Sequence, residues 1–314
     1  MSQIDENRLH TPVLLTETID LLKPRKGEQA IDATLGIGGH TEMLLEAGAR
    51  VLGIDRDSTA IIEAEKRLSR YGSLFQAETG RFSQIREIAA KAGFKQADII
   101  LADLGVSSIQ FDIPERGFSF RFDAPLDMRM DQSKGITAAE ILAEYSEQKI
   151  ADIIFRYGEE RYSRRIARQI VKRREEGKPV TTTKDLAELV ERALPRRYGT
   201  SIHPATRTFQ ALRIAVNDEM NELERFLEAA VEMLKPGGRI AVISFHSLED
   251  RIVKQKFARM SGKCECPPRY PVCQCGASKI LKLLTRKPVT ASEDEISRNP
   301  RSRSAKLRAA QKIA

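Results

Sequence analysis

The stretch Ala30-Ile31-Asp32-Ala33-Thr34-Leu35-Gly36-Ile37-Gly38-Gly39-His40-Thr41 decides the fold class. An apolar strand candidate ends on an acid, the chain turns through glycines, and the helix-like segment Glu42 to Ala47 follows. Glycine lets a backbone turn tightly and approach a ligand closely, as a nucleotide-binding strand–turn–helix requires. Further apolar runs stand at Val51 to Ile54, Leu74 to Phe75, Ile99 to Ala102 and Ile240 to Ile243. Helix-like segments separate the first four. Continuous apolar strands alternating with amphipathic helices predict a parallel sheet covered on both faces, the doubly wound α/β class.

The alternation stops after Gly105 and resumes at the helix-like stretch Glu219 to Leu234, which Lys235-Pro236-Gly237-Gly238 separates from a strand at Arg239 to Ser244. Between them Thr137 to Tyr157, Glu159 to Glu175, Thr183 to Leu194 and Pro204 to Val216 read as helices. The expected organisation is a core of residues 1–109 and 217–314 with an all-helical insertion at 110–216. Past Ala258, strand candidates at Lys279 to Thr285 and Ser304 to Ala309 are placed to close the sheet as an antiparallel hairpin.

With 314 residues, 41% of them hydrophobic, the chain has room for two such units. No run approaches the roughly 20 apolar residues of a spanning helix, and MSQIDENRLH lacks a secretory pattern, so a cytoplasmic protein without a membrane is expected. Lys and Arg outnumber the acids 52 to 44, a formal charge of +8 that favours polyanionic partners without identifying one.

About 20 residues past the glycine turn, Asp55 ends the second strand, where a carboxylate can accept ribose hydroxyls. A dinucleotide site calls for G-x-G-x-x-G, whereas this loop reads G-x-G-G with an acid upstream, which disfavours a nicotinamide-dependent oxidoreductase. The pattern suits S-adenosylmethionine, whose ammonium and carboxylate take the place of phosphates. His40 reads either as a helix-start hydrogen-bonding residue or as a ligand group, and Phe82 either as a core aromatic or as a flat surface beside an adenine.

The fourth strand ends on Asp103-Leu104-Gly105-Val106-Ser107-Ser108, and the carboxyl ends of strands carry the site in open α/β sheets. Together with HTPVLL at His10 to Leu15, the Gly38-Gly39-His40 loop, RGFSF at Arg116 to Phe120, PLDMRMD at Pro125 to Asp131, YGEER at Tyr157 to Arg161, HPATRTFQALRIAVN at His203 to Asn217 and SFHSLEDRIVK at Ser244 to Lys254, these residues closely resemble the bacterial RsmH family, also called MraW. That family comprises ribosomal RNA cytidine N4-methyltransferases, and the likeness spans nearly the whole chain. It implies a Rossmann-like, S-adenosylmethionine-dependent methyltransferase sheet with an inserted helical domain for substrate recognition. It also implies that Gly38, Gly39, His40, Asp55, Phe82, Asp103 and Gln110 contact S-adenosylmethionine. The implied substrate is a decoding-region cytidine of 16S rRNA, within the small ribosomal subunit or a late assembly particle. Whether the chain is a monomer or a dimer is left open.

Methyl transfer from a sulfonium is an in-line displacement, so positioning dominates, and acceptors at the cytosine amino protons take up developing positive charge. Asp103 and His246 are the catalytic candidates. Ser244 and Asn217 are candidates for the base, the latter also readable as a helix cap. Arg161, Arg164, Arg165, Arg168 and Lys172 are read as one cationic helix face, with Arg164 and Arg168 as candidate RNA contacts. Cys264-x-Cys266 and Cys273-x-Cys275 offer a ligand set compatible with tetrahedral zinc, but reduced thiols in a flexible loop are the expectation, and no metal is assigned. The competing reading is a non-catalytic RNA-binding or ribosome-assembly factor on a methyltransferase scaffold.

Overall fold

A computed structural model describes residues 12–105, 111, 113–195, 203–264, 266, 267, 269–272 and 274–313. The chain divides into two compact units, Met1–Gly105 with Asn221–Ala314, and Val106–Met220.

The first unit opens with α1 (Leu15–Leu22), β1 (Gln29–Asp32), α2 (Gly39–Glu46), β2 (Arg50–Asp55), α3 (Ser58–Leu68), β3 (Phe75–Thr79), α4 (Ile85–Lys91) and β4 (Ala97–Asp103). The chain then enters the helical unit, α5 (Ala138–Glu144), α6 (Glu147–Gly158), α7 (Ser163–Glu175), α8 (Thr183–Ala193) and α9 (Thr206–Asn217). It returns through α10 (Glu219–Met233) to β5 (Leu234–Ser244), α11 (Ser247–Met260), β6 (Leu281–Leu283), α12 (Glu293–Arg298) and β7 (Lys306–Lys312).

Among the described residues seven strands form one sheet in the order β3-β2-β1-β4-β5-β7-β6. β1 to β5 pair in parallel, while β7 runs antiparallel to both β5 and β6. The two late strands therefore pair as the sequence suggested, with β7 between β5 and β6.

The continuous apolar runs are divided residue by residue between the two faces, because successive strand side chains point oppositely. Ile31, Leu52, Ile54, Ile100, Ala102, Ile240 and Val242 enter one core cluster. Their neighbours Ala30, Val51, Ile99, Leu101, Ala241 and Ile243 enter another. The strand order reverses between β1 and β4, the place where open α/β sheets hold their ligands beyond the carboxyl ends of the strands.

The helical unit buries Ile150, Ile154, Ile166, Ile170, Leu186, Val190 and Leu212 with Phe118, Met128 and Met130 in its own core. One difference from the sequence reading lies at Thr137 to Tyr157, expected as one helix and found as α5 and α6. Tyr145 is extended (φ −76°, ψ 151°), and the Ser146 side chain accepts from the Lys149 N–H to cap α6. A serine that competes for backbone hydrogen bonds favours a new start over a continued helix. No helix among the described residues is long and apolar enough to cross a membrane.

Candidate active site

Three aspartates end three neighbouring strands: Asp32 on β1, Asp55 on β2 and Asp103 on β4. Asp32 accepts from the Thr34 N–H at 3.2 Å and from the Thr41 hydroxyl at 2.7 Å. Asp55 accepts from the N–H groups of Gly36 and Asp57, each at 2.9 Å and each on a separate carboxylate oxygen. The backbone N–H of Asp103 donates to the Thr34 hydroxyl oxygen. Its side-chain Oδ2 stands 3.8 Å from His40 Nδ1, too far for a hydrogen bond, and its Oδ1 is buried with no hydrogen-bond partner among the described residues.

Burial pushes the Asp32 carboxyl up to about 6, against the hydrogen bonds from Thr41 and Thr34 that favour its charged form. Burial also raises Asp55. Asp103 is held well above the ordinary carboxylate range, first by burial and then by the charges of Asp32 and Glu249. Strongly perturbed carboxyls clustered at strand ends mark a candidate functional site.

The glycine turn packs closely against neighbouring side chains. Gly38 has φ +80°, and a Cβ there would lie 2.6 Å from Leu68 Cδ1; at Gly39, the first residue of α2, a Cβ would collide with Pro12 Cγ. His40 is buried, its Nε2 3.1 Å from the Val13 carbonyl, which fixes that nitrogen as a donor and turns Nδ1 toward Asp103. Phe82 packs edge-to-face on Phe226 with centroids 5.1 Å apart, and the Arg56 guanidinium stands 6.0 Å from its centroid. Its core role is therefore plain, and only its remaining surface is available to a ligand.

These residues fit S-adenosylmethionine. The orphaned Asp103 Oδ1 requires a donor or a positive group, and each Asp55 oxygen keeps a lone pair for a ribose hydroxyl after accepting one backbone N–H. Gly38, Gly39, His40, Asp55, Phe82 and Asp103 all lie in the first unit. Gln110 lies outside the described residues.

The other candidates are placed differently. Ser244, at the end of β5, is buried and donates to the Lys306 carbonyl at 3.3 Å. His246 is the N-cap of α11: its side chain accepts from the Glu249 N–H, while the Glu249 carboxylate accepts from the N–H groups of Phe245 and His246. Its Nε2 lies 3.2 Å from Glu249 Oε1. The geometry thus gives His246 a loop-ordering role, and Glu249, not singled out by the sequence reading, sets part of the field at Asp103. The reciprocal spacing of a capping box, His246-x-x-Glu249, was the available signal.

Asn217 is a clamp within the helical unit. Its Oδ1 accepts from the Met130 N–H at 2.9 Å, and its Nδ2 donates to the carbonyls of Met128 and Arg213 at 2.8 and 2.9 Å. Both amide protons are thereby engaged away from any base. Asn217→Ala is expected to lower stability by about 2–4 kcal/mol by stranding buried backbone groups. Calorimetry checks this, and an unchanged melting temperature with lost RNA methylation would restore the base-reading role.

On α7, Arg164, Arg165, Arg168 and Lys172 are exposed, whereas Arg161 precedes the helix and its guanidinium lies 4.8 Å over the Tyr162 ring. The single five-cation helix face is thus four cations on α7 and one on the preceding turn. Arg168 and Lys172 each face a carboxylate at 3.8 Å, Glu147 and Glu176 respectively. Arg164 instead lines an open groove of about 420 Å³ shared with Asp152, Phe155, Arg156 and Arg161, where Phe155 is 59% exposed.

Residues 7–313 match the model of the MraW methylase family. Proteins called ribosomal RNA small subunit methyltransferase H are similar over nearly their full length. The one from Carboxydothermus hydrogenoformans is 51% identical over 97% of this chain and 98% of its own. Those from Trichlorobacter lovleyi and Symbiobacterium thermophilum are 51% and 50% identical, over 97% of this chain and 98% and 96% of their own.

Proposed function

Because the chain belongs to the MraW methylase family, we propose that it methylates the exocyclic N4 of a decoding-region cytidine in 16S rRNA. It is a methyltransferase, and S-adenosylmethionine is its methyl donor. When bound, the donor supplies an electrophilic methyl carbon on a sulfonium. The protein's own contribution is to orient the partners and hold charge.

The observation that carries the reading is the buried Oδ1 of Asp103 at the carboxyl end of β4, which has no hydrogen-bond partner among the described residues. The acceptor faces the site from a rigid strand, and the acids Asp32 and Glu249 add to its negative field. Such preorganised negative charge favours the positive charge that methyl transfer gathers. Asp55 is suited to fix the ribose, and the glycine turn to admit the ligand without a side chain in the way. His246 orders the loop after β5 as a helix cap; it is a positioning residue in this reading.

The helical unit is proposed to hold RNA through the groove between α6 and α7. Phe155 offers a face for a base, and Arg156, Arg161 and Arg164 offer charges for phosphates. Arg168 is retained as a peripheral phosphate contact. The substrate is a small subunit or late assembly particle in the cytoplasm.

A pH dependence follows from the raised carboxyls. Asp32, at about 6, takes up its proton as pH falls from 7 to 5, so the field that attracts a cationic donor weakens. Affinity for S-adenosylmethionine is expected to fall about tenfold from pH 7 to pH 5. Titration calorimetry at the two pH values reads this directly, and equal affinities would show that the Asp32 carboxylate does not serve the donor.

The function itself is tested in a strain lacking the gene. Mass spectrometry of its 16S rRNA is expected to show the loss of one methylated cytidine, restored by the native gene and not by the Asp103→Ala form. An unchanged methylation pattern would leave an assembly factor on a methyltransferase scaffold as the better description.

A further inference from the structure

We infer that the segment between α11 and β6 is a structural zinc site built on Cys264, Cys266 and Cys275. The sulfurs of these residues all lie within 4.8 Å of one another. Cys264 Sγ and Cys275 Sγ are 3.8 Å apart, far beyond the roughly 2.05 Å of a disulfide. Two sulfurs each about 2.3 Å from one tetrahedral zinc stand about 3.8 Å apart, which is the separation found.

The backbone is arranged for thiolates as well. The N–H of Cys266 donates to Cys264 Sγ at 3.4 Å, and the N–H of Gln274 donates to Cys266 Sγ at 3.2 Å. Such donors favour the deprotonated ligand that zinc requires and orient it, as outer-shell partners of metal ligands do.

The loop also needs an organising centre. Between Met260 and Leu281 the described residues form neither helix nor strand, and none of residues 261–280 that is described is buried. Val272 is 71% exposed and Tyr270 46%. Its base is pinned by the Ser261–Lys279 β-bridge and by the Ile280 N–H to the Met260 carbonyl, but no apolar core among the described residues holds its middle. A segment of this length without packing is unusual in a compact domain unless something else fixes it. Zinc bound by the three thiolates, each having released its proton, supplies that fixing, with the fourth tetrahedral corner taken by one further donor. The site is structural, since methyl transfer needs no metal.

The full-length protein, purified under reducing conditions from zinc-supplied cells, is expected to carry about one zinc per chain by inductively coupled plasma mass spectrometry. Exchange with cobalt(II) should give an intense near-ultraviolet thiolate-to-cobalt band. Cys264→Ser combined with Cys275→Ser should reduce zinc to under about a tenth of an equivalent while S-adenosylmethionine affinity stays unchanged. A parent protein without metal, or a double variant that keeps its zinc, overturns the site. If the double variant does not fold, the cobalt spectrum of the parent decides, and absence of the thiolate band rejects the inference.

Discussion

Replacing Asp103 by Ala is expected to slow methyl transfer by about two to three orders of magnitude, the range lost when one preorganised charge-stabilising group is removed. The loss is expected because Oδ1 is the one side-chain acceptor of the three strand-end aspartates that is buried with no partner among the described residues. The shape-conserving Asp103→Asn separates charge from packing. A carboxyl raised in the folded state binds its proton more tightly there than in the unfolded chain. Stability is therefore unpenalised below the unfolded value near 4, falls as pH rises above it, and carries the full penalty above the folded value. Asn, neutral throughout, removes that penalty, so Asp103→Asn should melt higher than the parent at pH 8 and level with it near pH 4. Single-turnover rates and melting curves at both pH values check the pair, and an Asp103→Asn protein with parental activity would remove Asp103 from the chemistry.

The second large effect concerns RNA. Changing Arg156, Arg161 and Arg164 together to Ala is expected to weaken binding to small-subunit RNA about a hundredfold at physiological salt and to reduce the slope of log affinity against log salt by about 2 to 3. Adding Phe155→Ala should cost about 1–3 kcal/mol more, with little change in that slope, because base stacking is not counter-ion release. None of these residues is among those expected to contact S-adenosylmethionine, so its affinity should be unaltered. Parental RNA affinity and slope in the triple variant would place the RNA elsewhere.

The sheet was legible because a strand buried on both faces reads as a continuous apolar run, and Ala30 to Ile31, Val51 to Ile54 and Ile99 to Ala102 all do. Asp55 and Asp103 could be found for the same reason: each follows such a run, so its place at a strand's carboxyl end is fixed by local sequence. The break between α5 and α6 was harder, since Tyr145-Ser146 interrupts a helical periodicity that continues on both sides.

Local sequence says least where a side chain's partners are distant. Asn217 is held by Met128 and Met130, almost ninety residues away, so these two hydrogen-bond partners could not be read from the end of α9. Glu249 was overlooked because its influence on Asp103 depends on packing of α11 beneath β5 within the first unit. The thiol cluster shows the opposite case. The cysteine spacing was visible at once, but C-x-C is ambiguous between reduced thiols and metal, and only the convergence of the sulfurs favours zinc.

The proposed reaction is tested most directly by methyl transfer in solution. Small subunits from a strain lacking the gene are incubated with the protein and methyl-labelled S-adenosylmethionine, and their 16S rRNA is digested to nucleosides. The expected result is label in N4-methylated cytidine from one decoding-region position, absent with Asp103→Ala. Label confined to any other nucleoside, or tight binding to the subunit with no transfer at all, would contradict it.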